Sequence, residues 1–206
     1  MPAFELITAV AAADAGPDGK YRFQQPHSVI KQYLEAARRR RALLILDIQP
    51  GRAEFMDEVR RLSRYLSEPD VGLALDPEWH VDEGEIPGQV IGSVDAQTVN
   101  EVSAYLAKIA RGHDLPQKLL VVHQFTEDMI EDREMLQTRS RVALTLNADG
   151  FGDPANKKSK YAALRPPPRP RPLYSGFKLF YREDTDLMAP REVAALLPSP
   201  DFVVYE

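Results

Sequence analysis

The sequence predicts an α/β fold: a TIM-like β/α barrel of about seven parallel strands that lacks one βα unit and forms a single domain over residues 1–206. Short apolar runs alternate with amphipathic helical patterns along the chain, and this rhythm is typical of a parallel sheet with right-handed crossovers. No Gly-x-Gly-x-x-Gly follows a predicted strand, which argues against a dinucleotide-binding sheet. The length of 206 residues suits one well-packed core.

Seven apolar segments are predicted as strands, because each is bounded by turn signals and has the length of a strand buried on both faces. They are residues 4–10, 42–48, 71–75, 118–125, 142–147, 176–181 and 202–205. This count is one short of a closed eight-stranded barrel. Either the barrel has seven strands and is incompletely closed, or an eighth strand has been lost or is supplied elsewhere.

Helices are predicted between the strands wherever apolar residues recur at helical spacing. They begin near Ser28, Phe55, Asp95, Thr126, Asp153 and Pro190. Aspartate is a favoured N-cap, so Asp95 and Asp153 are expected to cap their helices, the second with proline at the first helical position. The proline-rich residues 165–172 cannot continue a helix and are predicted to form an extended surface connector.

The composition of the chain argues against several classes of function. Apolar residues make up 44% and charged residues 28% of the chain, with a net charge of −5; this balance argues against nucleic acid as the main partner, which requires a basic surface. Cysteine is absent, so thiol chemistry and disulfides are excluded. No apolar stretch reaches the roughly 18 residues of a membrane span, and the N-terminus does not resemble a secretory signal. The compartment stays open.

The strongest candidate for chemistry is the end of the third strand. Asp76 and Glu78 follow an apolar run two residues apart, so they can project together from the carboxyl end of a strand, where β/α barrels keep their active sites. Paired carboxylates are what glycosidic hydrolysis requires, one protonated as acid and one ionised. We therefore predict a carbohydrate-active hydrolase with Glu78 as general acid and Asp76 or Asp47 as its ionised partner.

Polar residues also stand at or beside most other strand ends and indicate a polar mouth that binds a carbohydrate substrate. The predicted substrate-binding residues are Gln49, Trp79, His123, Gln124, Asp149, Lys178 and Glu206. Trp79, the single tryptophan, is suited to stack on a sugar face, although packing in the core is an equal alternative. No cofactor and no resident metal are predicted.

Two other functions stay open. The same mouth could belong to a non-catalytic barrel that binds a glycan or a protein. Asp76, Glu78, His80 and His123 also offer oxygen and imidazole donors, which would suit a metal-dependent hydrolase. The His-x-His typical of barrel metallohydrolases does not occur, however. Serine chemistry has little support, because no Gly-x-Ser-x-Gly is present.

Six motifs distributed over nearly the whole chain carry a resemblance. They are Phe4-Glu5-Leu6-Ile7, Leu46-Asp47-Ile48-Gln49-Pro50-Gly51, Leu75-Asp76-Pro77-Glu78-Trp79, Val121-Val122-His123-Gln124, Gly176-Phe177-Lys178-Leu179-Phe180 and Tyr205-Glu206. The chain resembles a group of uncharacterised bacterial proteins, largely actinobacterial, with a glycoside-hydrolase-like β/α barrel. The resemblance implies secreted or cell-surface relatives but brings no established reaction. Longer relatives carry an N-terminal signal and a further βα unit before Phe4.

The first and last strands would be the edges of an incomplete barrel. Residues 4–10 and 202–205 contain no lysine and no internal proline, which are common defences against edge pairing. We therefore expect either direct closure between these strands or a homodimer that buries the gap.

Overall fold

The computed structural model describes residues 1–167 and 173–206, and its main element is a mostly parallel sheet. In chain order the strands are β1 (Ala3–Ala11), β2 (Arg22–Gln24), β3 (Leu43–Ile48), β4 (Val71–Leu75), β5 (Val94–Asp95), β6 (Lys118–Gln124), β7 (Ile130–Glu131), β8 (Val142–Ala148), β9 (Tyr174–Leu179) and β10 (Phe202–Tyr205). The helices are α1 (His27–Arg39), α2 (Phe55–Arg61), α3 (Ser63–Leu66), α4 (Ala96–Gly112), α5 (Pro154–Leu164) and α6 (Pro190–Ala194).

Eight of the strands form one sheet in the order β10-β9-β8-β6-β4-β3-β1-β2. Every neighbouring pair is parallel except β1 and β2, which run antiparallel at one edge. All seven segments predicted as strands lie in this sheet. The eighth strand, β2, comes from a segment that the sequence pattern places in a loop. Strands β5 and β7 pair with each other as a separate two-stranded ribbon.

The predicted helix caps agree with the structure. The Asp95 carboxylate accepts a hydrogen bond from the Thr98 amide at 2.6 Å at the start of α4, and Asp153 accepts one from Asn156 at 2.9 Å at the start of α5. Such caps satisfy backbone donors that a helix leaves without partners. These local signals position the two helices that follow β5 and β8.

The main hydrophobic core lies between the outer face of the sheet and the helices. Leu44, Leu46 and Ile48 of β3 are buried in it against Phe55 and Val59 of α2. The alternate residues of the same strands face inward, where Ile45, Ala74 and Val121 form a second, smaller apolar cluster. Because side chains alternate along a strand, the sheet presents one face to the helices and the other to its own concave interior.

The prediction of a TIM-like β/α barrel of about seven strands is wrong. The eight-stranded sheet is a curled half-barrel, and in the described residues β1 and β10 share no backbone pairing. Residues 1–167 and 173–206 contain six α-helices, two of them with only four or five residues, so strands are not regularly followed by helices. The direct closure considered for the edge strands is therefore not observed.

The largest departure from βα alternation lies between β6 and β8. The helix predicted from Thr126 is a single 3₁₀ turn, Glu127–Met129, followed by β7 and a second 3₁₀ turn, Arg133–Met135. Asp132 between them has a positive φ of 50°, a left-handed conformation that cannot continue a right-handed helix. This crossover covers the sheet with irregular chain instead of a helix.

Two other expectations concern segments away from the sheet. Within residues 1–167 and 173–206, no helix combines the length and the apolar character that crossing a membrane requires. The expected extended connector over residues 165–172 falls mostly on residues 168–172, which lie outside the described part of the chain.

Candidate functional site

The candidate site lies at the carboxyl ends of the parallel strands, on the concave face of the sheet. Three strands carry an apolar inward residue followed two positions later by a polar one: Ile45 and Asp47 on β3, Ala74 and Asp76 after β4, Val121 and His123 on β6. Side chains two residues apart on a strand share a face. The parallel arrangement therefore places the apolar side chains in a floor and the ionisable ones in a mouth above it.

His123 is the centre of the mouth. Its Nδ1 lies 3.1 Å from Asp149 Oδ2 and its Nε2 lies 3.2 Å from Glu5 Oε1. Burial of the ring favours the neutral form, but the hydrogen bonds to Asp149 and Glu5 outweigh it and raise the pKa of His123 well above its usual value. A protonated ring with both N–H groups donating to carboxylates fits this geometry.

Lys178 supplies the second positive charge of the mouth. Its Nζ lies 3.2 Å from Asp149 Oδ2 and 2.8 Å from Glu206 Oε2. Burial alone would lower the pKa of the ammonium group, but Asp149 and Glu206 raise it above the usual lysine value. Gly176 permits this arrangement, because a Cβ there would lie 2.9 Å from the Cα of Asn147 on the neighbouring strand.

The two cations hold two carboxylates ionised. For both Glu5 and Asp149, burial would raise the pKa, but the hydrogen bond from His123 and the charges of His123 and Lys178 lower it below the usual value. Glu5 retains 21% side-chain exposure, so its carboxylate is both ionised and accessible. The mouth thus contains a carboxylate, that of Glu5, which solvent can reach.

Asp47 and Asp76 have the opposite electrostatic character. Burial above the apolar floor raises the pKa of both carboxyl groups above the usual value, Asp47 furthest, and neighbouring carboxylates add to the shift. Asp47 Oδ1 accepts a hydrogen bond from the Ile48 amide at 2.8 Å, and Asp76 Oδ2 accepts one from Gln49 Nε2 at 3.1 Å. The mouth therefore combines carboxyl groups whose pKa values are lowered with carboxyl groups whose pKa values are raised.

A cleft of about 420 Å³ opens onto this mouth beside the gap between β1 and β10. Its charged walls are Glu5, Asp47, Asp76, Lys178 and Glu206, with Gln49 beside them. Its aromatic walls are Phe4, Tyr33 and Tyr205. Concave sites with an apolar wall and a few convergent polar groups are typical binding sites for small ligands.

Most of the predicted site residues come together here. Asp47, Asp76, Gln49, Lys178 and Glu206 line the cleft. His123 and Asp149 stand behind Glu5 and Lys178, since both are buried and in direct contact with them.

Three predicted residues, Glu78, Trp79 and Gln124, are not among those that line the cleft, although Glu78 lies near enough to the mouth for the charges of Asp76 and Asp149 to act on it. Glu78 and Trp79 are in a 3₁₀ turn, Pro77–Trp79, and are not among the residues that line the cleft. Burial and the charges of Asp76 and Asp149 raise the pKa of Glu78 to about 7. Gln124 is fully buried, and its Nε2 donates to the carbonyls of Thr126 and Glu127 at 3.1 and 3.3 Å, so it holds the following loop.

Sequence reasoning missed Glu5. It lies in the middle of an apolar strand rather than at its end, so a search along strand ends passes over it. The available signal was its position between Ala3 and Ile7, because alternation puts these three side chains on the same inward face. A charged residue on the inward face of an otherwise apolar strand is itself an indication of function.

The residues that could hold a metal differ from the predicted set. One donor atom each from Glu5, Asp47 and His123 lies within 4.8 Å of the others. His80, which the metal alternative requires, has its Nδ1 2.7 Å from the Ser93 carbonyl and its ring packed on Phe55. His80 therefore does not join the mouth, although His123 does.

Comparison with known proteins gave no relative: no protein-family model, no curated protein and no solved structure matches the chain.

Proposed function

We propose that this protein is a glycoside hydrolase in which Asp47 is the general acid and Glu5 its ionised partner. The observation that carries the proposal is the pairing of these carboxyl groups in one cleft with opposite pKa shifts, upward for Asp47 and downward for Glu5. Glycosidases need one carboxyl group of each kind.

The separation of the pair favours a retaining reaction. One carboxylate oxygen of Glu5 lies within 4.8 Å of one of Asp47, which is shorter than the roughly 6.5–9.5 Å of inverting enzymes, whereas retaining enzymes have their carboxyl groups only approximately 5–5.5 Å apart. Asp47 would donate its proton to the leaving glycosidic oxygen while Glu5 attacks the anomeric carbon. Asp47, now ionised, would then take a proton from the water that hydrolyses the glycosyl–Glu5 ester.

This assignment revises the roles predicted from the sequence. The sequence predicts Asp47 as an ionised partner, but its burial favours the protonated form. Glu78, the predicted acid, does not line the cleft. Tyr33 and Tyr205 replace Trp79 as the aromatic surfaces beside the acids, and aromatic rings suit the apolar faces of sugars.

The test is hydrolysis of a panel of aryl glycosides and cell-wall polysaccharides. With any substrate that the wild-type protein cleaves, Glu5→Gln and Asp47→Asn should each lower the rate by about 10³-fold, since removal of an acid–base group costs roughly 10²–10⁴. Glu35→Gln, an exposed carboxylate on α1, is the matched control and should retain full activity. Azide should restore turnover to Glu5→Ala by taking the place of the missing nucleophile.

Rates equal to wild type in both Glu5→Gln and Asp47→Asn would overturn the assignment. No turnover on any substrate would favour the binding alternative. That alternative is also favoured if the carboxyl groups of Asp76 and Glu78 point into helix packing or are locked in salt bridges with no open cleft beside them; Asp76 lines the cleft, and Glu78 does not.

A metal-dependent hydrolase is the second candidate, because Glu5, Asp47 and His123 converge within 4.8 Å. Such a triad offers two oxygen donors and one imidazole nitrogen, a set compatible with Zn²⁺ or Mn²⁺. Activity lost with chelator and restored by one of these ions would select this candidate. Full activity in chelator would select the metal-free mechanism.

A homodimer is also proposed. In the described sheet the outer edge of β10 has no strand partner, and Val203 of β10 is 39% exposed. Unpaired edges favour association with another chain. Light scattering should give twice the mass of one chain; a monomer would exclude this association.

A further inference from the structure

A second group of aromatic side chains lies at the same end of the sheet, on the β9–β10 side. Phe151 follows β8, Phe180 and Tyr181 follow β9, and Tyr205 ends β10. The Phe151 and Phe180 rings meet edge to face at 6.4 Å, and the Tyr181 and Tyr205 rings lie 5.7 Å apart at 32°. Phe151 and Tyr181 are 65% and 64% exposed. We call these four side chains the aromatic platform.

The platform is built on a fixed base. Asp184 accepts hydrogen bonds from the Gly152 and Phe180 amides, each at 2.9 Å, and so ties together the two loops that carry the rings. Lys157 lies 3.4 Å from Asp184, and both side chains are only 2% exposed. Lys157 also donates to the Gly150 and Lys178 carbonyls. The exposed rings therefore stand on loops held by a buried ion pair, which preorganises them for binding.

A groove of about 610 Å³ is bordered by two of the platform rings, Phe180 and Tyr181. Phe180, Tyr181, Arg182, Glu183 and Glu206 line it, and Glu206 also lines the cleft that contains Glu5 and Asp47. The groove and the cleft are neighbours, because they share Glu206 and because the Tyr205 ring, whose centroid lies 5.7 Å from that of Tyr181, lines the cleft. A chain of sugars bound at Glu5 and Asp47 therefore has exposed aromatic surface beside it.

We infer that the aromatic platform is a second sugar-binding subsite, which holds an additional residue of an oligosaccharide whose scissile bond lies at Glu5 and Asp47. The inference rests on the proposed glycosidase function and makes the substrate an oligomer instead of a single sugar. Rings presented at the surface offer apolar area to a sugar face with little loss of conformational entropy. Arg182 and Glu183 supply hydrogen-bonding groups for sugar hydroxyls along the groove.

The experiment measures binding and hydrolysis separately. Chitohexaose, cellohexaose and purified peptidoglycan are the three probes, and affinity is measured by calorimetry for the soluble ones and by sedimentation for peptidoglycan. Tyr181→Ala and Phe151→Ala should each weaken binding of the recognised probe by about 10-fold, while Tyr181→Phe, which keeps the ring, should bind like wild type. Phe23→Ala, which removes an exposed ring from β2 at the far edge of the sheet, is the matched control.

The outcomes separate the two proposals. Ring-dependent binding without hydrolysis of any probe would keep the platform as a sugar site and reject the glycosidase. Hydrolysis with equal affinity in wild type, Tyr181→Ala and Phe151→Ala would reject the platform alone. The platform is also rejected if wild type binds none of the three probes, or if Tyr181→Ala turns a dimer into a monomer, since the rings would then be a contact between copies.

Discussion

The floor and the mouth of the half-barrel belong to the same strands yet have opposite chemistry. Ile45, Ala74 and Val121 form the floor. Asp47, Asp76 and His123 follow them two residues later on the same face. One step of about 6–7 Å along each strand separates a cluster without polar side chains from one in which every side chain can ionise.

The difference teaches how the fold creates reactivity. The floor keeps water away from the carboxyl groups above it, and this burial is the largest cause of the raised pKa values of Asp47 and Asp76. Ionised carboxyl groups are costly to bury, so Asp47 and Asp76 reduce stability when they ionise, whereas the floor adds to it. The floor of the sheet thus contributes mainly to stability, and the mouth above it contributes the ionisable groups.

The largest expected effect comes from putting a charge into the floor. Val121→Asp should lower the free energy of unfolding by at least about 4 kcal/mol, because an unpaired carboxylate would be buried among apolar side chains. Asp76→Asn, the matched change in the mouth, should lower it by less than about 1 kcal/mol, since it removes a charge that burial already disfavours. Urea denaturation measures both. Similar losses in the two variants would show that the layers do not differ.

Removal of the central cation should have the next largest effect. In His123→Asn, Glu5 loses its hydrogen-bond donor and nearest positive charge, so its pKa should rise and the acid limb of the pH–rate profile should move to higher pH. We expect the rate at neutral pH to fall by about 100-fold. His113→Asn, at the exposed end of α4, is the control. An acid limb at the same pH in both variants would exclude His123 from this role.

The pH dependence of stability follows from the same charges. The pKa of His123 is raised above its usual 6.5, so its contribution is complete below about pH 6.5 and is lost as pH rises through the folded-state value. The pKa values of Glu5 and Asp149 are lowered, so their contribution is present above about pH 4 and is lost as pH falls through the folded-state values. A tenfold difference in proton affinity between the folded and unfolded states corresponds to about 1.4 kcal/mol, roughly 3 °C in Tm for a chain of this length.

Thermal unfolding between pH 3 and pH 9 therefore should show a maximum between about pH 4 and pH 6.5. His123→Asn should flatten the alkaline decline. A shallower alkaline decline should remain in His123→Asn. It comes from Asp47 and Asp76, because the raised pKa values of these carboxyl groups mean that the folded state loses stability as they ionise at rising pH. An alkaline decline of unchanged size in His123→Asn would contradict the protonated ring.

The smallest effect is expected at Glu78, and it distinguishes the two candidate acids. Its pKa of about 7 would place the alkaline limb of the rate profile near pH 7 if Glu78 were the acid. Because Glu78 does not line the cleft, Glu78→Gln should lower the rate by less than about 10-fold and leave that limb in place. A loss of about 10³-fold together with loss of the limb would return the role to Glu78.

The strands and their carboxyl ends are the features that could be predicted from the sequence. The strands were predictable because apolar runs such as residues 71–75 and the turn signals around them are local properties. The placing of Asp47, Asp76 and Lys178 in one mouth was also predictable, since parallel strands bring their carboxyl ends to one edge. The sequence could not show which of the adjacent residues His123 and Gln124 faces the mouth, because a shift of one residue in register moves a side chain to the other face of the sheet.

Seven of the strands, the polar edge and the N-caps of α4 and α5 follow from local sequence, because each depends on residues close together along the chain. The curl of the sheet into a half-barrel and the contact of Glu5 with His123, 118 positions away, arise only when distant segments pack together. The same packing sets the direction in which the pKa of each carboxyl group is shifted. A pKa depends on burial and on distances to charges from other strands, and neither is written in the local pattern of residues.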